Sequence, residues 1–530
     1  MTAIPFTDPG SSAKPFRWVP EAVFILCSLL LFFVLFYHRW PLFEDHGIFH
    51  YAAWGIAQGL VPYVDIVDVN WPGIYVIHYL ARLISGSSPL GLRLVDSLHV
   101  AAACAVLSFV LGELGVGRPL RILCLTAYLM SYFFGGYNNT AQRESFGLGM
   151  LLLGCWPWVR IGRHRRPPSV IWFFLSGLLM ASAVFIRPQV APLGLVFVAW
   201  GFLPDWRNRS AWWPLVAYGA GGVLLCSLGV VWLDRLGSLR GFWDWSVAFA
   251  LTEYKAWRLP LASMAGYLIR NVTTRGGGFS TLLLLAALGL LLRERDWRAL
   301  LRSHIRVLAL GGGTLVASVL IAWSQSKGVP YHCIPLQWAL ALSAGLLLSM
   351  TRTAGWLEYH GRTVIAVCGL TLGLFACTLH VIGMSPTLSA RWRPWSFQPT
   401  DGTLMARRLT PFLAAGETAV LFDASAYTFW AELERPAPFP YIAGVYYWLL
   451  ALGPDHQRCR IILDDLALAL NRSSVRFFIV EMVSGSCPDQ SDSPETMLRY
   501  NQAVPAIMES AFRERPDLSS ERFKVFERHP

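Results

Sequence analysis

The sequence predicts an α-helical polytopic membrane protein with a small C-terminal α/β domain. Three observations carry this: the composition, the length of the apolar stretches and the placement of the positive charges. Of 530 residues, 55% are hydrophobic and only 15% charged, where an ordinary soluble domain has about a quarter charged. Mean hydropathy is +0.45. The apolar residues gather near 22–38, 92–112, 119–135, 145–159, 169–186, 189–203, 211–233, 278–292, 307–323, 333–350 and 363–383. At roughly 20 residues per crossing these stretches take up nearly half the chain, which excludes a soluble globular enzyme, a disordered protein and a disulfide scaffold. Segments 145–159 and 189–203 are short for full spans, so about 11 transmembrane helices are expected.

The formal charge of +11 would suit nucleic acid if it lay on one soluble face. Instead the basic residues fill alternate loops, as the positive-inside rule requires. Lys14 and Arg17 precede the first stretch, Arg118 and Arg121 follow the second, and Arg160, Arg163, Arg165 and Arg166 follow the fourth. Arg207 and Arg209, then Arg293, Arg295, Arg298, Arg302 and Arg306, then Arg352 and Arg362 continue the pattern, while the first opposite loop, 39–89, has only Arg39 and Arg82. The amino terminus is therefore expected in the cytoplasm and the carboxyl terminus outside. Residues 22–38 are long for a signal-peptide core and lack a small-residue cleavage site, so they read as a retained span. Most cysteines lie in or beside apolar stretches, where they act as small hydrophobes. Cys459 and Cys487 fall in the tail and would pair only in an oxidising compartment; no Cys-x-x-Cys or His-rich metal pattern is present.

Two parts are expected: a membrane-embedded domain over 1–383 and an outer α/β domain over 384–530. In the second part, Thr418–Phe422 (TAVLF) and Val475–Val480 (VRFFIV) are short, β-branched and aromatic, as buried strands are. Arg460–Leu470 between them reads as a helix.

The first outer loop is the most informative. Ile48, Phe49, Ala52, Ala53, Ile56, Ala57 and Leu60 recur with helical period, with His50, Trp54 and Gln58 on another face. This predicts an amphipathic helix in the membrane interface, ended by Gly59, with Pro62 and Pro72 punctuating the loop beyond it. Glu44 and Asp45 stand at its start. Asp45 as a helix cap, its charge meeting the positive dipole end, is the plain reading; a general base at the membrane surface is the sharper one. His46 and His50, four apart, have a metal-pair spacing with Glu44 or Asp45, although an interfacial histidine pair against headgroups is more ordinary. No metal site or cofactor is assigned; a divalent cation is left open.

Asp45-x-Gly47, the alanine- and aromatic-rich helix, Gly59-x-x-Pro62-Tyr63-x-Asp65 and Asp68-x-x-x-Pro72 together resemble the first outer loop of the type C glycosyltransferases. The resemblance is narrower to family 39, which contains the protein mannosyltransferases and aminoarabinose transferases. It continues in Leu92-Arg93-Leu94, Gln142-Arg143-Glu144, Arg187-Pro188 and Ser326-Lys327-Gly328-Val329-Pro330-Tyr331-His332, spanning residues 20–380 in topology. It implies the GT-C fold, with interfacial helices in the first outer loop, and an integral-membrane transferase of the bacterial inner membrane. The donor would be a sugar on polyprenyl phosphate. The acceptor would be a glycan, lipid or protein of the cell envelope, with inversion at the anomeric carbon. It places the base on Asp45, with Glu44 in support.

One departure is visible. Relatives often have Lys two residues before the loop proline, and here that position is Asn70. Phosphate binding is then expected from Arg187 and Lys327, with Arg143 as the further cation, because a guanidinium fork holds two phosphate oxygens at once. Glu144 is expected to orient the acceptor or to hold Arg143 or a cation, its plain reading being an acidic residue at the favoured start of the fourth span. Tyr331, His332, Asp68 and Asn70 are expected to line the donor pocket. Membrane lipids are expected partners and nucleic acid is not. Snorkelling of Arg187 or Lys327 to the interface is the plain alternative for each. The rival functions are a lipid-linked glycan flippase or transporter, which would show repeats and mid-membrane charges, and a glycan polymerase or ligase.

Overall fold

The computed structural model describes residues 19–164, 168–253, 259–274, 277–325, 328–391, 393–422, 428–441, 456–481 and 503–529. Helices stand on all the apolar stretches. The first nine in chain order are α1 (Val19–Leu35), α2 (Glu44–Ala57), α3 (Gly73–Ser85), α4 (Pro89–Glu113), α5 (Arg118–Phe134), α6 (Arg143–His164), α7 (Val170–Ile186), α8 (Ala191–Phe202) and α9 (Trp212–Arg235). Gly278–Leu292, Ile305–Gln325, Ile334–Ser349 and Gly361–Met384 complete the bundle, while α2 and α3 belong to the first loop. Pro89–Glu113, Arg209–Arg235, Ile305–Gln325, Pro330–Ser349 and Gly361–Met384 are each long and apolar enough to cross a membrane. The 17-residue α1 and α7 reach about 25 Å, short of the roughly 30 Å hydrocarbon core. Val23, Leu26 and Leu30 on α1 and Val223, Leu228 and Val231 on α9 are exposed, a lipid-facing surface that water would not tolerate. The chain is a multi-pass membrane protein.

α7 packs between α6 and α9, and α4 packs on α6. At one end of the bundle Glu21 is fully buried, 2.7 Å from Arg121 and 3.4 Å from Arg118. At the other end the loop α2–α3 meets the tail. The tail holds a four-stranded mixed sheet, β1 (Thr418–Phe422), β2 (Val475–Glu481), β3 (Phe512–Glu514) and β4 (Phe523–Arg528), in the order β1-β2-β4-β3. β1 runs parallel to β2, with Ala419 opposite Phe477, and β4 is antiparallel to β2, with Phe478 opposite Phe526. The expected helix forms over Gln457–Leu470. Cys459 is buried on it; Cys487 lies outside the described residues.

α2 does not leave a polar face to water. Tyr51 donates its hydroxyl to the Arg435 carbonyl (3.2 Å) and accepts from the Ala437 amide (2.7 Å), and Val67 N–H reaches Pro440 O at 2.8 Å. Arg82 on α3 is paired with Glu434 at 2.5 Å. One apolar core therefore joins the first loop, through Ile48, Phe49 and Tyr75, to Val420, Trp430 and Phe478 of the tail. A second core holds the bundle. Gly59, at φ +89°, ends α2 as expected, in the left-handed region that glycine enters without steric cost.

Candidate active site

Four short chain segments bring the site together: the start of α2, the start of α6, and the loops at Arg187 and at Tyr331. The N-cap of α2 is Phe43, not Asp45. His46 Nδ1 accepts from the Phe43 amide at 3.0 Å, so the reciprocal bond of a capping box falls to histidine. Asp45 is thereby released from the cap role, which corrects the plain sequence reading. Its Oδ2 accepts from Tyr331 OH at 2.7 Å and lies 3.5 Å from an Arg143 guanidinium nitrogen, which in turn is 3.3 Å from Tyr331 OH. The Asp45 side chain keeps 23% of its exposure while that of Arg143 keeps 9%. Arg143 also stacks over Phe49, 5.4 Å from the ring centre.

One residue further along α6, Glu144 is fully buried. Its Oε1 lies 3.0 Å from Arg187 Nε and 3.7 Å from His332 Nε2. Arg187 also reaches Gln325 Oε1 and stands 3.5 Å from His332 Nε2. Arg187 thus points inward, with 14% of its side chain exposed, and does not snorkel. Burial pulls its pKa down to about 10, with Glu144 opposing the shift. Glu144, expected to orient the acceptor or to hold Arg143 or a cation, pairs with Arg187. α3 abuts the end of α7 just before Arg187: a Cβ on Gly73 would lie 2.7 Å from the Phe185 carbonyl.

Asp68 and Asn70 do not open toward the other site groups. The buried Asp68 carboxylate accepts from Tyr75 OH (2.9 Å), Val69 N–H (2.7 Å) and Asn70 Nδ2 (2.7 Å). Asn70 commits its amide to Asp68 and its carbonyl to Tyr63 OH at 2.7 Å. Burial pushes the Asp68 carboxyl up to about 6, against the donors around it and the field of Arg143. Both residues brace the loop behind Arg143. The Glu44 side chain and all of Lys327 lie outside the described residues, so support for the base from Glu44 and a Lys327 clamp stay expectations.

His46 and His50 form no metal pair with Asp45. His50 Nε2 meets Gly86 O at 3.2 Å and its Nδ1 meets His78 Nδ1 at 3.3 Å. Among the described residues no group of His, Cys, Asp or Glu is arranged to hold a metal ion. Burial lowers His46 and His78 well below the usual imidazole range and His50 to about 3, which disfavours the charged form of each.

Sequence reasoning passed over Asp96. It is fully buried on α4 and accepts from Tyr132 OH (2.7 Å), Ser145 Oγ (2.7 Å) and Tyr37 OH. An ionisable residue within an apolar stretch was the available signal.

No family model matches the sequence, and no curated protein sequence matches it either. Solved structures do match. ArnT from Cupriavidus metallidurans in the apo state superposes with a TM-score of 0.62 at 15% identity, covering 96% of this chain and 97% of that one. The same protein bound to undecaprenyl phosphate gives 0.58 at 14%, covering 96% and 98%. The arabinofuranosyltransferase AftD from Mycobacteria gives 0.51 at 14%, covering 98% of this chain and 40% of that one. With the bundle, the first-loop helices and the tail all included in the ArnT match, this chain has the type C glycosyltransferase (GT-C) fold.

Proposed function

We propose that this protein transfers a sugar from a polyprenyl-phosphate carrier to a hydroxyl of an envelope acceptor, at the outer face of a bacterial inner membrane. One observation carries the proposal: at one end of a membrane bundle a partly open carboxylate, Asp45, stands beside the Arg143 guanidinium, and the next residue, Glu144, holds a second guanidinium, Arg187. The ArnT structure that shares this fold was solved with undecaprenyl phosphate, which supports a carrier of that chemistry.

In the reaction, Asp45 takes the proton of the acceptor hydroxyl as its oxygen bonds to the anomeric carbon. The bond from that carbon to the phosphate oxygen breaks, and the phosphate leaves with the electron pair. A single displacement of this kind inverts the anomeric configuration. Tyr331 occupies one Asp45 oxygen and aims the other. Arg143, whose contact with Asp45 is long at 3.5 Å, swings to the incoming phosphate. Losing that cation makes Asp45 a better base when the donor is in place. Arg187 adds the second cation, and charge stabilisation aimed at the leaving group is usually the largest catalytic term. His332 and Glu144 hold Arg187 in place.

The test uses purified protein in detergent with a panel of synthetic polyprenyl-phosphate pentoses and hexoses and envelope-lipid acceptors. Release of free polyprenyl phosphate with an inverted sugar on the acceptor is expected for at least one donor. Movement of intact carrier across vesicles without bond breakage would identify a flippase and overturn the reading.

A further inference from the structure

Arg143 and Glu144 lie side by side on a segment whose two ends are both tied to one buried carboxylate. Before them, the Ala141 amide donates to Tyr132 OH at 3.0 Å, and Tyr132 OH reaches Asp96 Oδ2 at 2.7 Å. After them, Ser145 Oγ reaches Asp96 Oδ1 at 2.7 Å. The proton count closes: the Ala141 N–H serves the Tyr132 oxygen, and the Tyr132 and Ser145 protons both serve Asp96. Ala141 sits at φ +56°, a left-handed conformation that disfavours any residue with a Cβ. Something must hold it there, and the Tyr132 hydroxyl makes the bond to its amide.

The same group reaches toward the base. Tyr37, just past the end of α1, donates to Asp96. Arg93, one turn before Asp96 on α4, donates to the Pro41 carbonyl at 2.5 Å and lies over the Tyr37 ring at 5.1 Å. Its other terminal nitrogen is 3.4 Å from Thr140 Oγ1. The linker to Asp45 and the segment bearing Arg143 and Glu144 are thus pinned from the same turn of α4.

We infer that Asp96 is a positioning residue, acting through Tyr132 and Ser145 to hold Ala141 left-handed and so present Arg143 and Glu144 to the site. This rests on the transferase reading for its catalytic consequence, but the clamp itself can be read without catalysis. Asp96 is fully buried beside Arg93, so its removal risks the fold. Tyr132→Phe removes a single hydroxyl and keeps the ring packed.

The experiment compares wild type, Tyr132→Phe, Ala141→Gly and the double variant. Backbone amide exchange over residues 140–146 is measured by mass spectrometry, and turnover on the carrier sugar that wild type uses. Tyr132→Phe should raise exchange in that segment alone and lower turnover about tenfold, the scale of one strained left-handed residue. Ala141→Gly alone should stay within twofold of wild type. Added to Tyr132→Phe, it should recover most of the turnover, because glycine adopts the left-handed angle at no steric cost. Wild-type exchange in Tyr132→Phe, or a double variant no better than the single one, would overturn the inference. If exchange responds but wild type turns over no carrier sugar, the clamp stands and the transferase reading fails.

Discussion

Glu21 lies in the first turn of α1 and Asp45 lies beyond that helix's other end, each beside arginine side chains. Glu21 is fully buried against Arg121 and Arg118, its ion-pair partners. Asp45 has a longer contact with its arginine, a tyrosine hydroxyl on one oxygen, and a side chain still 23% exposed. Charge pairing alone does not mark a reactive group. What separates the two is access and looseness: Glu21 is fully buried with an arginine at 2.7 Å, whereas Asp45 is partly open with its arginine at 3.5 Å. Within the site the two arginines differ in partners rather than access: Arg187 is held by Glu144 and Gln325, Arg143 reaches Asp45 and Tyr331, and both side chains are mostly buried.

After Asp45 itself, the largest effect that would sharpen this contrast is at Arg187. Arg187→Ala should cut turnover by roughly 10²–10³, the range for losing one donor to a developing charge. Arg187→Lys keeps the charge but not the fork, so activity should fall between. Wild-type turnover in both would leave the leaving-group role to Arg143 or to groups outside the described residues.

Next is the acid response of the loop. His46, His50 and His78 are neutral when folded but charge near pH 6.5 when unfolded. Their folded pKa values are lowered, so the unfolded chain binds more protons below that pH. Stability then falls as pH drops from about 6.5 towards 3, by up to about 1.4 kcal/mol per pH unit for each histidine. Melting temperatures across that range should show it, and His50→Gln should flatten the slope. A slope unchanged in His50→Gln would mean that the ring is solvated.

Asp68 should act in the opposite sense and more weakly. Its folded carboxyl is raised to about 6, so the folded state binds more protons between about 4 and 6. Its contribution to stability falls as pH rises through that window, on the order of 1–3 kcal/mol in all. Asp68→Asn should therefore steepen the net acid loss set by the histidines. No change in the curve would place Asp68 in contact with water.

Much of the fold was legible because lipid imposes a coarse rule: apolar runs of set length and basic loops between them. The rule blurred where function intrudes. Residues 145–159 read as a short stretch, yet α6 runs from Arg143 to His164, because its first two residues direct their charges to site partners. In the tail, Thr418–Phe422 and Val475–Val480 were legible as short segments rich in β-branched and aromatic residues. Phe523–Arg528 was not, since its charged residues alternate with buried Phe523 and Val525. The site's members were legible singly, from motif and charge. Their pairing was not: nothing in spacing says that Tyr331 meets Asp45 across 286 positions, or that His46 takes the bond that spares Asp45 from capping.

The central claim is that Asp45 is the base, and one paired measurement tests it most directly. Transfer from the accepted polyprenyl-phosphate sugar is measured for Asp45→Asn and Glu21→Gln, each corrected for folded protein by its melting curve. Asp45→Asn should fold normally and lose on the order of 10²–10⁴ in turnover. Glu21→Gln should melt earlier, because its arginines lose a buried partner, while each folded molecule keeps wild-type turnover. Full activity in Asp45→Asn, or an equal catalytic loss in both, would contradict the assignment.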